Sequence, residues 1–379
     1  MNQILVEVLS TQLNQINLSA ELRARLTPEV CVKLYQTSYR HDIAHIVGAV
    51  LAENTVEVPE LLMTKFKKAE ILSVYRCAQQ KQALQEISAC LEKEQIPYVP
   101  LKGAILRKFY PKESMRTGCD VDVLVKPEDI DRACNALVHV GYELTDRQYH
   151  DVSLTSPTNV HLELHFSLQE NRPNMDAVLC RAWEYTLPEE GCRYSFTKDF
   201  FVFQIFAHLT YHFLNGGCGL RGLMDIWVME HRMNLSYVDA QKLLEETGLY
   251  TFAQKMSILA ETCFSNATWN NNSRLLLSYI VDGGSYGTAQ GKIAIKKTEK
   301  GGTIGYVFRR LFLPYKTMKR VYPVLERAPV LLPFCWAHRW FLKLFTGRGR
   351  QAAKEIKTAR GITGAQMEEL QTLRTYLGL

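Results

Sequence analysis

The chain has 379 residues, 47% of them hydrophobic and 22% charged, which excludes a disordered or collagen-like protein. Its net charge of +6 is unevenly spread: residues 288–360 hold 17 Lys/Arg against three acids, a local +14 that leaves the rest of the chain at −8. Ten cysteines are scattered without a C-x-x-C pair, which argues against a zinc ribbon or a thioredoxin-type redox site. Most of them are expected to be small buried fillers.

The start, Met1-Asn2-Gln3-Ile4-Leu5, lacks the basic and apolar regions of a secretory signal. Residues to about Lys93 carry helical spacing, continued by Ile43, Ile46 and Val50-Leu51. A long helix is predicted from Leu61 to Glu94, where breakers are few and apolar residues recur at three- and four-residue intervals (Ile71, Val74, Tyr75, Leu84, Ile87, Leu91). It should stop near Gln95, because Pro97 forces extended geometry on the residue before it. Ile96–Leu101 then reads as a short extended run and Ala104–Phe109 as a helix, with Cys119–Val125 an alternating strand. A helix from Pro127 to about Val140 is stopped by Gly141. Tyr142–Leu144, Asp151–Leu154 and Val160–Phe166 are further strands. From Lys198 the pattern is helical again, over Phe200–Leu214, Leu220–Arg232, Tyr237–Thr247 and Phe252–Cys263. Neither Phe200–Leu214 nor Ala328–Phe345 offers the roughly 20 uninterrupted apolar residues of a spanning helix. Gly283–Gly287 and Lys300–Gly302 mark loops. The expectation is a cytoplasmic α+β protein with three regions: N-terminal helices (1–94), a small α/β core (95–197), and C-terminal helices with a basic tail (198–379).

Asp120-Val121-Asp122 carries the most chemistry. On a strand, residues two apart point to one face with about 6–7 Å between their Cα atoms. Val121, Val123 and Val125 then fall on the opposite, apolar face. Neighbouring carboxylates repel unless a cation lies between them, and oxygen ligands on a rigid strand suit Mg²⁺ or Mn²⁺. His161–Phe166 repeats the alternation, with His161, Glu163 and His165 on one face and Leu162, Leu164 and Phe166 on the other. If that strand lies beside the first, Glu163 completes a three-carboxylate cluster of the kind that serves nucleotidyl transfer, and it can also accept the proton of an attacking hydroxyl.

Leu101-Lys102-Gly103, Arg116, Asp120–Val125 and Glu163-Leu164-His165 together resemble the uncharacterised bacterial nucleotidyltransferase family of the DNA polymerase β-like superfamily. Arg221–Asp225 with His208 and His212 resemble its helical region, and Tyr306–Phe312 and Leu331–Arg339 its basic tail. The resemblance implies a small mixed sheet flanked by helices, with Asp120, Asp122 and Glu163 as metal and catalytic carboxylates. It implies Mg²⁺ (or Mn²⁺) as cofactor and an NTP as substrate. Lys102, Gly103, Arg116 and His165 would be nucleotide contacts. The superfamily's usual Gly-Ser or Gly-Gly turn is here Gly103-Ala104, so the triphosphate contacts depart from that pattern.

Several features have blander readings. Arg116 fits a structural ion pair as well as a phosphate contact, and Arg221 with Asp225 has the i,i+4 spacing of a helix pair. His41/His45 and His208/His212 share zinc-chelating spacing, but packing in helix interfaces explains them better. A glycosyltransferase using its D-x-D on a nucleotide-sugar, and a non-catalytic binder of nucleic acid or membrane, are the competing functions. The first would carry several strand–helix repeats before its D-x-D; here mostly helix precedes it. The basic tail suits an anionic partner, while the acceptor is left open between small molecule, peptide or protein, and RNA.

Overall fold

The computed structural model describes residues 1–265, 267–284, 312–345 and 363–379. The glycine-rich loops beyond Gly284, residues 306–311 of the expected tail likeness and much of the basic stretch lie outside the described residues.

The N-terminal region is helical as its spacing predicts: α1 (Asn2–Asn14), α2 (Ala20–Arg25), α3 (Pro28–Arg40), α4 (Ala44–Glu53) and α5 (Glu60–Lys93). Ser19 and Thr27 cap α2 and α3 by accepting the amides of Leu22 and Val30. After α5 the chain turns at Gln95, whose φ is 53°, and is extended from Tyr98. Of the apolar residues spaced along α5, Ile71, Val74 and Tyr75 are 70%, 52% and 58% exposed. The helix packs on α4 and on the turn at Glu113–Met115. Its buried stripe runs instead through Leu62, Phe66, Cys77, Ala83, Ile87 and Leu91, and the 3.6-residue period carries the other three round to solvent.

The sheet joins β1 (Tyr98–Pro100), β2 (Asp120–Val125), β3 (Glu143–Arg147), β4 (Asp151–Thr155) and β5 (His161–His165) in the order β1-β2-β5-β4-β3. It is mixed: β2 and β5 run parallel, whereas β1 with β2, β5 with β4 and β4 with β3 are antiparallel. Short α6 (Lys102–Leu106) follows β1, and α7 (Ile130–His139) lies in the crossover from β2. One sheet face is the core. Val121, Val123, Val125, Val152, Leu154, Leu162 and Leu164 meet Ala83, Ile87 and Leu91 of α5 and Ile130, Ala133, Cys134 and Leu137 of α7. The α7 residues stand at i, i+3, i+4 and i+7, the stripe a helix needs to lie on a sheet. The outer edge, β3, is exposed along its length and carries Glu143, Asp146 and Arg147, charges that discourage pairing with another strand.

A small α8 (Pro173–Leu179) and the hairpin β6 (Thr186–Pro188)–β7 (Tyr194–Phe196) lead into α9 (Lys198–Leu214), α10 (Gly219–Arg232), α11 (Gln241–Glu246), α12 (Tyr250–Phe264) and α13 (Asn271–Gly283). The chain forms two compact units. The first comprises Met1–Tyr211, Cys218–Ser285 and Leu377–Leu379; the second is His212–Gly217 with Tyr286–Tyr376, of which 312–345 and 363–376 are described beyond residue 217. In the second, α14 (Tyr315–Val321) and α15 (Leu332–Phe345) share a small core of Met318, Leu325 and Cys335, and α16 (Gly364–Leu377) belongs to it up to Tyr376. Among the described residues no helix is long and apolar enough to cross a membrane. Seven of the ten cysteines are buried, as expected of small apolar fillers.

Candidate functional site

The register of β2 and β5 sets the site. Asp120 pairs with His161 and Asp122 with Glu163 across the parallel ladder, while Val121 and Val123 pair with Leu162 and Leu164. Side chains alternate along each strand, so the apolar set enters the core and Asp120, Asp122, His161, Glu163 and His165 share the other face. Atoms of Asp122, Glu163 and His165 able to ligate a metal all lie within 4.8 Å of one another. His165 Nε2 is 3.3 Å from Asp122 Oδ1 and 3.5 Å from Glu163 Oε2. Asp120, the other expected ligand, is not one of that trio. Two carboxylates and one imidazole form a donor set that fits a divalent cation.

The segment entering β2 is pinned from several directions. Gln80 of α5 donates its amide to the carbonyls of Gly118 (2.9 Å) and Asp120 (3.3 Å), and Arg107 in turn donates to the Gln80 carbonyl oxygen. Thr117 donates its hydroxyl to the Asp42 carbonyl (3.0 Å) and accepts Arg221 Nη1 at its own carbonyl (2.8 Å). His45 Nε2 lies 3.2 Å from the Met115 carbonyl. Helices far away in the chain therefore fix where the first aspartate begins. On the other strand, the amides of Phe166 and Ser167 both donate to the His150 carbonyl, which holds the end of β5 beside His165.

Crowded charge splits the affinities of these groups for protons. Burial raises Asp120, and repulsion from Asp122 and Glu163 adds to it, taking the carboxyl to about 6 against the partial relief of Arg221 and Lys102. Burial also acts to raise Asp122. The hydrogen bond and charge of His165, helped by Lys102, outweigh it and hold Asp122 below the ordinary carboxylate range. Burial opposes charge on His165, yet its bonds to Asp122 and Glu163 win and push the imidazole up to about 9. Here an imidazolium balances the two carboxylates as a metal would.

The remaining expected contacts sort themselves by their partners. Lys102 opens α6 beside the cluster: burial works against its charge, while Asp122, Glu170 and Asp120 favour it. His208 of α9 comes within 3.5 Å of Glu170 and within the field of Lys102 and Asp122. Arg116 is buried and grips both oxygens of Asp225, Nε at 2.8 Å and Nη2 at 2.9 Å, while Tyr110 donates to the same carboxylate at 2.7 Å. Its remaining nitrogen, Nη1, would stand 3.1 Å from a side chain added at Gly103, so glycine there lets the guanidinium sit close to the backbone. The expected Arg221–Asp225 helix pair is therefore replaced: Asp225 belongs to Arg116, and Arg221 serves Thr117. His41 and His45 do not share a helix, since His41 caps α3 and His45 lies in α4; each is buried against a backbone carbonyl. Glu170 joins this neighbourhood without any warning in the sequence, because no spacing rule singles it out.

The sequence model of a family described as uncharacterised nucleotidyltransferases matches residues 31–265, more than half of the chain. The matched span holds the N-terminal helices from α3, the whole sheet and the helices through α12. It stops short of the basic stretch and of the expected likeness over the tail. Comparison with curated proteins and with solved structures gives no match.

Proposed function

Because the chain belongs to the uncharacterised nucleotidyltransferase family, we propose that it moves a nucleoside monophosphate from an NTP to a hydroxyl-bearing acceptor, with release of pyrophosphate. The observation that carries this reading is the pairing of Asp122 with Glu163 on parallel strands, which brings two carboxylates and His165 to one point on the sheet's polar face. These three side chains would hold Mg²⁺ or Mn²⁺, which when bound neutralises phosphate charge and polarises the attacking hydroxyl. The carboxylates favour either ion, and the imidazole nitrogen leans toward Mn²⁺.

Each remaining residue has a role that follows from its place. Glu163 has a third of its side chain exposed, against 19% for Asp122, so it is the carboxylate an incoming hydroxyl meets and the one that takes its proton. Asp120, on the same face, adds negative charge that strengthens cation binding. Lys102 offers a cation beside Asp122 for the triphosphate. Arg116, already committed to Asp225, sits close to Gly103 and leaves only Nη1 for phosphate. With no covalent intermediate required, in-line alignment and charge neutralisation supply the acceleration.

The test is incubation of the purified chain with each α-labelled NTP, Mg²⁺ or Mn²⁺ and a cell extract, followed by identification of the labelled species by mass. A labelled acceptor that vanishes with Asp122→Ala supports the proposal. Label transfer from UDP-sugars but from no NTP would overturn it.

A further inference from the structure

The polar face of the sheet continues from β5 onto β4. Asp151 stands directly opposite His165, and Ser153 opposite Glu163, in the antiparallel ladder between the two strands. Directly opposite residues project from the same face, so Asp151 belongs with the metal cluster rather than with the core. It is only 2% exposed, unusual for a carboxylate outside a known site. Its Oδ1 is buried and has no hydrogen-bond partner, and so is Nδ1 of His165. Its Oδ2 accepts from Ser153 Oγ at 3.5 Å, and His150 Nε2 approaches Oδ1 at 3.3 Å without completing a bond. The His150 and His165 rings lie 6.0 Å apart at 36°.

A buried carboxylate oxygen and a buried imidazole nitrogen that each lack a hydrogen bond carry a desolvation cost. Here they stand on opposed residues of one ladder, where β-carbons are about 4.5–5.5 Å apart. Side chains on such an opposed pair stand close enough to interact. Resting on the metal-binding reading above, we infer that Asp151 is a positioning residue, which holds Nδ1–H of His165 and so presents a bare Nε2 to the cation shared with Asp122 and Glu163. A ligating histidine generally donates its second ring N–H to a carboxylate or carbonyl, which fixes both tautomer and ring plane. His165 has its Nε2 side filled by the two carboxylates, and Asp151 supplies the missing acceptor on the other. Ser153 steadies Asp151 by engaging the oxygen that His165 does not need.

The full-length protein and its Asp151→Ala, Asp151→Asn and Asp122→Ala variants decide the matter through two readouts that need no turnover. One is Mn²⁺ binding, followed by the spin-resonance signal of the free ion. The other is the nitrogen NMR shifts of His165 in Mg²⁺-loaded protein, which report its tautomer. Asp151→Ala is expected to weaken Mn²⁺ binding by about 10–100-fold and to remove the single Nδ1–H tautomer. Asp151→Asn keeps an acceptor and should fall between it and the parent, and it decides on the same readouts should the alanine variant not fold. Unchanged Mn²⁺ affinity and tautomer in Asp151→Ala, while Asp122→Ala abolishes binding, would sink the positioning role alone. Undiminished binding in Asp122→Ala would sink the metal reading beneath it.

Discussion

On one face of β2 and β5, Val121, Val123, Leu162 and Leu164 are at most 6% exposed and pack on α5 and α7. On the other, offset by a single residue, Asp120, Asp122, His161, Glu163 and His165 crowd charge into one place. The apolar face gains from burial whatever the other side carries, so the strands stay rigid enough to hold like charges that would otherwise move apart. Stability and chemistry are thus written on alternate residues of the same two strands. Substitutions one step apart should therefore have unlike consequences, and that contrast is open to attack.

The largest effect is expected from Asp122→Ala. Nucleotidyl transfer should fall below detection and Mn²⁺ binding should be lost, while the thermal midpoint stays close to that of the parent. A variant that instead melts much earlier would show the polar face sharing in stability and would break the contrast. Next comes the buried pair behind the site. Asp225→Ala strands the Arg116 guanidinium and leaves the Tyr110 hydroxyl without its acceptor, which is expected to cost about 3–5 kcal/mol in urea unfolding. Replacing both partners by leucine should recover the share owed to the stranded guanidinium, with the Tyr110 hydroxyl still unpaired. If the double variant folds but transfers nothing, Arg116 touches phosphate in addition to Asp225, and its nucleotide-binding role survives.

Leu162→Ala probes the reverse face. Leu162 is fully buried between Val121 on β2 and Leu154 on β4, so its truncation should cost about 2–4 kcal/mol. Transfer per folded molecule, measured after correction for the folded fraction, should be unchanged. Loss of activity beyond that fraction would mean that the two faces are mechanically coupled.

How much of this was legible depended on the range of the interaction. The alternation in β2 and β5, the stop of α5 before Pro97 and the stripe on α7 are local periodicities, and the fold realises them. A shared face for Asp120 and Asp122 follows from period two alone, and so does that for Glu163 and His165. That the two strands adjoin is a long-range fact, reached through resemblance and not through spacing. Which donors converge was not legible, because the answer lies in side-chain torsions and in a third strand: His165 joins the trio, Asp120 does not, and Asp151 gave no motif. Arg221 and Asp225 show the weakness of helix spacing. It says which side chains can meet, but Arg116, 109 positions away, meets both carboxylate oxygens with its planar fork and wins. In the middle of α5, Ile71, Val74 and Tyr75 keep three- and four-residue intervals among themselves but turn to the side of the helix away from Leu84, Ile87 and Leu91, so spacing alone does not bury them.

The smallest predicted effect concerns a polar group that serves structure alone. His41 is fully buried, with Nδ1 accepting the Leu220 amide at 3.2 Å and Nε2 2.9 Å from the Val281 carbonyl. An amide only donates and a carbonyl only accepts, so the neutral ring with its proton on Nε2 satisfies both. A second proton would face the Leu220 N–H. Burial accordingly pushes the imidazole below its ordinary 6.5, and Arg40 adds to the shift against the weaker pull of Val281 and Asp282. The unfolded chain then binds the proton more readily than the folded one. The stabilising contribution is complete above the unfolded value and is lost as pH falls from 6.5 toward the depressed folded value, with a slope of at most about 1.4 kcal/mol per pH unit. Replacing His41 with glutamine, which can still donate to Val281 and accept from Leu220, should flatten the acid limb of the stability curve by up to that slope while leaving stability at neutral pH within about 1–2 kcal/mol. Were the acid limb of His41→Gln to retain its full steepness, the loss would belong to His45 or His208, both of which burial pushes down in the same direction. A buried histidine tuned toward neutrality in the helical region, set against one tuned toward charge on the sheet, carries the contrast between the two faces from a single sheet to the whole unit.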